Sequence, residues 1–321
     1  MKILLSTTSF QDTPGKHHEV LAASGFQIVK ARGPLTEQQM LDLLKREGGF
    51  DGLLNGDDAI TAKVIDAALP KLRVIAKYGI GLDSIDVPHA TAKKIPVMYT
   101  PGVNHTTVAE HTFGLMIAIA KHFYPHIKST KSGGWKRTTG TELAGKTIAV
   151  LGMGRIGKEV VKRARAFDMN VIGFSQHWDE DFAREYGLKR AMTREEAAQG
   201  ADIISLHMSL NAENRAFLNT AFINKLKKGV LVVNTARGGL VNEHDVAAAC
   251  KSGQLGGYAT DVLETEPQKA PHPFQEVDNI IVTPHIGSRT FESVERQALR
   301  AVTNIVEYLK GGKDYIQANE F

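Results

Sequence analysis

Three polar residues, each following an apolar run, have the types a proton-transfer site needs: Arg237 in NTARG (234–238), Glu266 in DVLETEP (261–267) and His285 in TPHIG (283–287). A histidine exchanges protons near neutrality, so His285 suits a general acid–base working on a hydroxyl or carbonyl oxygen. A carboxylate such as Glu266 orients the ring and favours its charged form. The planar fork of Arg237 matches a carboxylate in a bidentate way and polarises a neighbouring carbonyl. Singly, each has an ordinary reading: a structural histidine, a solvated loop acid, an arginine capping its own loop. At three successive strand ends, where open α/β sheets place their ligands, they read as a site.

A second motif says what such a site works with. In KTIAVLGMGRIG (146–157) an apolar strand runs into a G-x-G-x-x-G turn that opens a helix. Gly152 permits the tight turn, Gly154 lets backbone approach a pyrophosphate, and Gly157 allows close helix–strand contact. The first helical amides, those of Arg155 and Ile156, are then turned toward phosphate. A dinucleotide cofactor is expected. The position that reads the adenosine ribose, about 20 residues beyond the glycines, is Ser175. No arginine follows at Gln176 or His177 to meet a 2′-phosphate, so NAD is expected with NADP permitted. Asp179 reaches the ribose only if the 176–179 loop curls back.

These residues need two series of strands to position them. Apolar runs at 2–6, 26–29, 51–54, 72–76 and 95–99 alternate with amphipathic stretches, and a second series continues from 146 through NVIGFS, ADIISLH, GVLVVNTA, LGGYATDVL and NIIVTPH. That rhythm predicts an α/β protein with two parallel sheets, that is, two Rossmann-like domains. Thr100-Pro101-Gly102 marks a hinge ahead of a helix at 106–121, and a last helix at 290–309 is expected to pack back on the first domain. The division expected is 1–99 with 288–321 as a discontinuous substrate domain, and 100–287 as the dinucleotide-binding domain.

Length and composition agree with this: 321 residues accommodate two domains, and 42% hydrophobic with 23% charged residues is ordinary for a packed globular chain. The 39 basic residues are interspersed with 35 acidic ones, which argues against a nucleic-acid partner despite the formal charge of +4. The longest apolar stretch, 113–120, is too short to span a bilayer, and the amino terminus lacks a secretory apolar core. Cys250, the single cysteine, has no intrachain partner and sits in an alanine-rich helical pattern as a small buried side chain. A cytoplasmic protein away from membranes is the expectation. His17, His18, His122 and His126 lack metal-ligand spacing. His105 and His111 read as structural, and Trp135 as packed in a loop.

With KYGIGLD (77–83), PGVN (101–104), AEHT (109–112) and LAGKT (143–147) added to the motifs above, the chain resembles the D-isomer-specific 2-hydroxyacid dehydrogenase family over nearly its whole length. The similarity is to the phosphoglycerate-dehydrogenase-like branch, in a short form without a regulatory domain. It implies hydride transfer between NAD(P)(H) and C2 of a small 2-hydroxy or 2-oxo acid, with the residues matching Arg237, Glu266 and His285 catalytic. It further implies that Asp261 touches the nicotinamide amide and that the amides of Ile80 and Gly81 hold the substrate carboxylate. Thr235 is counted with the cofactor contacts. A cleft that closes and a homodimer built mostly through the cofactor domain also follow from the resemblance.

Departures from the family pattern bear on the substrate. Asn55 and Lys77 stand where phosphoglycerate-specific members have arginines, which disfavours a phosphorylated substrate. Lys77, unless it is solvated or neutralises Asp57, Asp58 or Asp83, and Arg289 in place of the usual small residue, are then the cations left for the far end of the substrate. Glyoxylate, hydroxypyruvate or a short dianionic acid are the substrates to which they point. Ser209 replaces a proline and is expected to loosen the adenine wall. The rival reading on the same fold is an NAD-sensing binding protein such as a transcriptional corepressor. A formate-dehydrogenase-like reading is weaker, since that branch is expected to carry glutamine where Glu266 stands.

Overall fold

The alternation of apolar runs and amphipathic segments resolves into two parallel sheets. The computed structural model describes all 321 residues and divides into two units, 1–104 with 289–321, and 105–288. In the first unit, β1 (Lys2–Leu5), β2 (Gln27–Lys30), β3 (Gly52–Asn55), β4 (Val74–Lys77) and β5 (Val97–Met98) lie in the order β2-β1-β3-β4-β5, every pair parallel. Successive side chains of β1 serve opposite faces. Ile3 and Leu5 pack with Ala298, Ala301, Val302 and Ile305 of the helix Phe291–Lys310, whereas Leu4 packs with Met40, Leu43 and Leu44 of the helix Glu37–Glu47. Covering helices on both faces bury β3 and β4 throughout, which is why these strands read as apolar runs up to their last residues, Asn55 and Lys77.

The last helix therefore belongs to the first unit. The boundary falls at 104/105 rather than 99/100 because residues 100–104 remain tied to this unit: Thr100 N–H donates to Gly79 O (3.0 Å) and Arg296 Nε to Val103 O (3.0 Å). The second crossing falls at 288/289.

The second unit holds β6 (Thr147–Leu151), β7 (Asn170–Phe174), β8 (Lys189–Arg190), β9 (Ile203–Leu206), β10 (Val230–Asn234), β11 (Leu255–Thr260) and β12 (Ile280–Val282). Their order is β12-β11-β10-β9-β6-β7-β8, again all parallel. The chain leaves β6 toward β7 on one side and returns to β9 on the other, so the β6/β9 gap is the topological switch point where such sheets bind ligands. One face is covered by the helix His105–Ala120 and the helix Arg155–Ala166, the other by the helix Glu243–Ser252 and neighbours. Cys250 is buried there, and burial pushes its thiol up to about 12. No helix is long and apolar enough to cross a membrane, and no group of three His, Cys, Asp or Glu side chains is placed to hold a metal.

Candidate active site

The glycine turn has the shape its letters require. Gly152 adopts φ +106, and a Cβ there would sit 2.5 Å from the carbonyl carbon and oxygen of His207. Gly157 is pressed against the turn, since its Cβ would lie 1.9 Å from Gly152 O. Gly154, the N-cap of the helix Arg155–Ala166, offers no side-chain cap and has nothing within 4 Å of a Cβ position. The amides of Arg155, Ile156 and Gly157 donate to no acceptor in the protein. An open cradle before a run of unused donors fits a diphosphate. His207, beside it, bonds Ser205 Oγ through Nε2 (2.7 Å), and burial pushes its ring down to about 3, so it stays neutral.

At the end of β7, Ser175 is half-buried and Gln176 and His177 are exposed. Asp179 does not curl back: it caps the helix Glu180–Glu185 through Phe182 N–H (3.0 Å) and pairs with Lys158. The Thr235 hydroxyl shares a hydrogen bond with Thr112 (2.8 Å) on the helix His105–Ala120.

Arg237, Glu266 and His285 follow β10, β11 and β12, three adjacent strands. Asn234 shapes the first loop, accepting from Ala236 N–H (3.0 Å) and donating to Arg237 O (3.0 Å). Gly238 lets this loop meet the next, because a Cβ there would lie 1.9 Å from the Leu263 carbonyl carbon. Glu266 is fixed at both oxygens: Oε1 accepts from Leu263 N–H (2.8 Å) and Oε2 lies 2.7 Å from His285 Nδ1. His285 itself adopts φ +52, a left-handed conformation uncommon for a residue with a side chain.

What holds that conformation is a buried carboxylate. Asp261, 3% exposed, accepts from Thr283 Oγ1 (2.6 Å) and Ile286 N–H (2.9 Å) at Oδ1, and from Gly287 N–H (2.7 Å) at Oδ2. His111 Nε2 lies 3.0 Å from Thr283 Oγ1 and 3.3 Å from Asp261 Oδ1. Burial works to raise the Asp261 carboxyl, but bonds from His111, Thr283, Ile286 and Gly287 together hold it below the usual range. The carboxylate thus grips both sides of His285. His111, expected to be structural, is a member of this grip.

In the first unit, β4 ends in a turn whose Gly79 amide donates to Thr100 Oγ1 (3.0 Å), while the amides of Ile80 and Gly81 donate to no acceptor in the protein. Of the two readings of Lys77, an open cation or one neutralised by a neighbouring aspartate, the structure has the second. It is 2% exposed, and its ammonium donates to Gly56 O and to Asp57 Oδ1, both at 2.6 Å. Arg289, by contrast, is exposed and makes no ion pair or side-chain hydrogen bond. Trp135 is 80% exposed rather than packed in a loop.

A doubly wound sheet with an open diphosphate cradle, and a paired histidine and carboxylate at neighbouring strand ends, define a dinucleotide-binding α/β protein. Residues 113–287 match the family model described as D-isomer specific 2-hydroxyacid dehydrogenase, NAD binding domain, and the chain belongs to that family. NAD(H) is the cofactor this domain implies. The chain is 37% identical over 290 residues to a glyoxylate reductase of Thermofilum pendens, covering 87% of this chain and 83% of the relative. It is 38% identical over 279 residues to the D-3-phosphoglycerate dehydrogenase of Methanocaldococcus jannaschii, covering 86% of this chain but only 52% of that protein, so it spans about half the length of that relative. A solved structure from Thermus thermophilus superposes with a TM-score of 0.89 at 33% identity, covering 99% of this chain and 100% of the other.

Proposed function

We propose that this chain interconverts a small 2-oxo acid and the corresponding 2-hydroxy acid, with His285 as the group that gives and takes the proton. The observation that carries the reading is the 2.7 Å His285–Glu266 pair, placed in the same unit as the diphosphate cradle. NAD(H), held at its diphosphate by the amides of Arg155, Ile156 and Gly157, supplies the hydride when bound.

Because Glu266 engages Nδ1, Nε2 is the nitrogen that donates a proton to the carbonyl oxygen during reduction and recovers it during oxidation. Glu266 fixes the tautomer and balances the imidazolium. Arg237 takes the carboxylate and polarises the carbonyl. In the first unit by itself, the unused amides of Ile80 and Gly81 are suited to a carboxylate. Asp261 keeps the 283–287 loop, and so the ring, in place. Its bonds to protein groups leave one lone-pair direction on Oδ2 for a cofactor amide.

The preference between the cofactors is for NAD(H), since the end of β7 carries no arginine and Lys158 is neutralised by Asp179. The assembly proposed is a homodimer. The helix Phe123–Lys131 buries none of its residues, Phe123, Tyr124 and Ile127 are exposed on it, and residues 130–142 are exposed throughout. Apolar surface of that kind is ordinarily covered by a partner.

The test is NADH oxidation, followed by absorbance, with glyoxylate, hydroxypyruvate, pyruvate and oxaloacetate, repeated with NADPH. Turnover of at least one acid with NADH is expected. Binding of NADH without turnover of any acid would overturn the reading in favour of a cofactor-sensing protein.

A further inference from the structure

We propose that the carboxyl edge of the first unit's sheet carries a second recognition subsite, formed by Arg289, the Tyr78 phenol and the Thr7 hydroxyl, that selects 2-oxo acids bearing a second carboxylate. The inference rests on the function proposed above and names its substrate class.

The subsite is visible first as unspent hydrogen-bonding capacity. Seven buried side-chain polar atoms in the chain lack a hydrogen bond of good geometry, and three of them, Thr7 Oγ1, Asn55 Oδ1 and the Tyr78 hydroxyl, which has Ser9 beside it, follow or end β1, β3 and β4. Those strands are neighbours in the sheet. Two of the residues lie toward one face: Tyr78 packs against the cluster of Leu5, Phe10 and Ala298 under the helix Phe291–Lys310, the helix that Arg289 precedes, and Thr7 follows Leu5 in step with it, whereas Asn55, in step with Leu53, belongs to the other face. The Ile80 and Gly81 amides follow Tyr78 directly. Native interiors leave few such atoms unmatched, and ligand sites are a recurring reason.

Charge then decides which ligand. Asp58 is fully buried and its oxygens accept from Ser6 Oγ (2.5 Å), Leu35 N–H (2.7 Å) and Gly56 N–H (3.1 Å). Lys77 is matched by Asp57, and Arg32 by both oxygens of Asp12 (2.5 and 2.7 Å). Arg289 is the cation left over. Its field reaches Tyr78 and Asp12 alike, but Asp12 is already neutralised by Arg32. Burial pushes the Tyr78 phenol well above the usual tyrosine range, against the pull of Arg289 and Ser9, so it remains a proton donor at any physiological pH. A guanidinium with two hydroxyl donors offers one positive charge and a fork, which suits a carboxylate. A phosphate, with a charge near −2, would be undercompensated. The cation expected from Lys77 is thus supplied by Arg289, from the start of the returning helix.

The experiment compares kcat/KM for oxaloacetate and for pyruvate in the wild type, Arg289→Met, Arg289→Lys and Tyr78→Phe. The oxaloacetate-to-pyruvate ratio should exceed one in the wild type and fall by roughly 10–100-fold in Arg289→Met, the range of a charge-assisted hydrogen bond. Most of the fall should lie in KM, with partial retention in Arg289→Lys and a smaller fall in Tyr78→Phe. A wild type that favours pyruvate, or an Arg289→Met effect common to both acids, overturns the subsite. Calorimetry of D-malate and D-lactate with the cofactor-free chain reads the subsite without turnover. Tighter D-malate binding that is lost in Arg289→Met supports it even if no acid is reduced, in which case only the proposed reaction fails. Equal binding of the two acids overturns the subsite.

Discussion

His285 is held from two directions, and the two holds have different consequences. Glu266 contacts the ring and bears on its charge; Asp261 contacts the loop and bears on its place. Replacing His285 by alanine should lower turnover by at least ~10²-fold while NADH fluorescence titration shows binding retained; near-normal turnover would remove the residue from the mechanism. Glu266→Gln keeps the size but removes the negative charge that favours the imidazolium. The proposed reduction needs that charged ring, so its alkaline limb should move to lower pH, and an unmoved limb would count against the pair. Asp261 titrates below its ordinary range in the folded chain. Its carboxylate therefore contributes stability above the ordinary aspartate range, and the contribution is lost as pH falls through the folded value. Asp261→Asn should cost on the order of 1–3 kcal/mol at pH 7, and the gap from wild type should narrow in acid. A gap in thermal stability that is constant with pH would refute the charge-based account.

At the scale of elements, the glycine turn separates two functions that share one motif. Gly157→Ala brings a methyl group into Gly152 O, 1.9 Å away, and should destabilise the unit by on the order of 3 kcal/mol or more, read by denaturant unfolding. Gly154→Ala meets nothing within 4 Å, so stability should change little while NADH affinity falls, because the methyl occupies the cradle. If both variants lose stability equally, the cradle is misassigned. Strands such as β3, β9 and β10 were legible in the sequence because both their faces are buried and every residue before the terminal Asn55 and Asn234 is apolar or small. β8 was not, since Lys189 and Arg190 are both exposed and give no hydrophobic signal. The positions of the site residues at strand ends could be read from local runs. The grip of His111 on Thr283 spans 172 residues, and the pairing of Lys77 with Asp57 spans 20; neither leaves a periodic trace in the chain.

For the whole molecule, the exposed face of the helix Phe123–Lys131 and the 130–142 segment make assembly the property to measure. Sedimentation at micromolar concentration should give a dimer, and Ile127→Ser with Trp135→Ser should shift it toward monomer; a wild-type monomer would refute the assembly. The lone thiol offers a different kind of access. Cys250 lies inside the cofactor-binding unit with its proton held to about pH 12, so a maleimide added near neutrality meets no reactive group on the intact fold. Its labelling rate is a built-in clock for opening of that unit, and ligands that close the unit should slow it without any engineered probe. A cysteine placed at the exposed position 135 would be modified at once, so one molecule can report both its surface and its interior through the same chemistry.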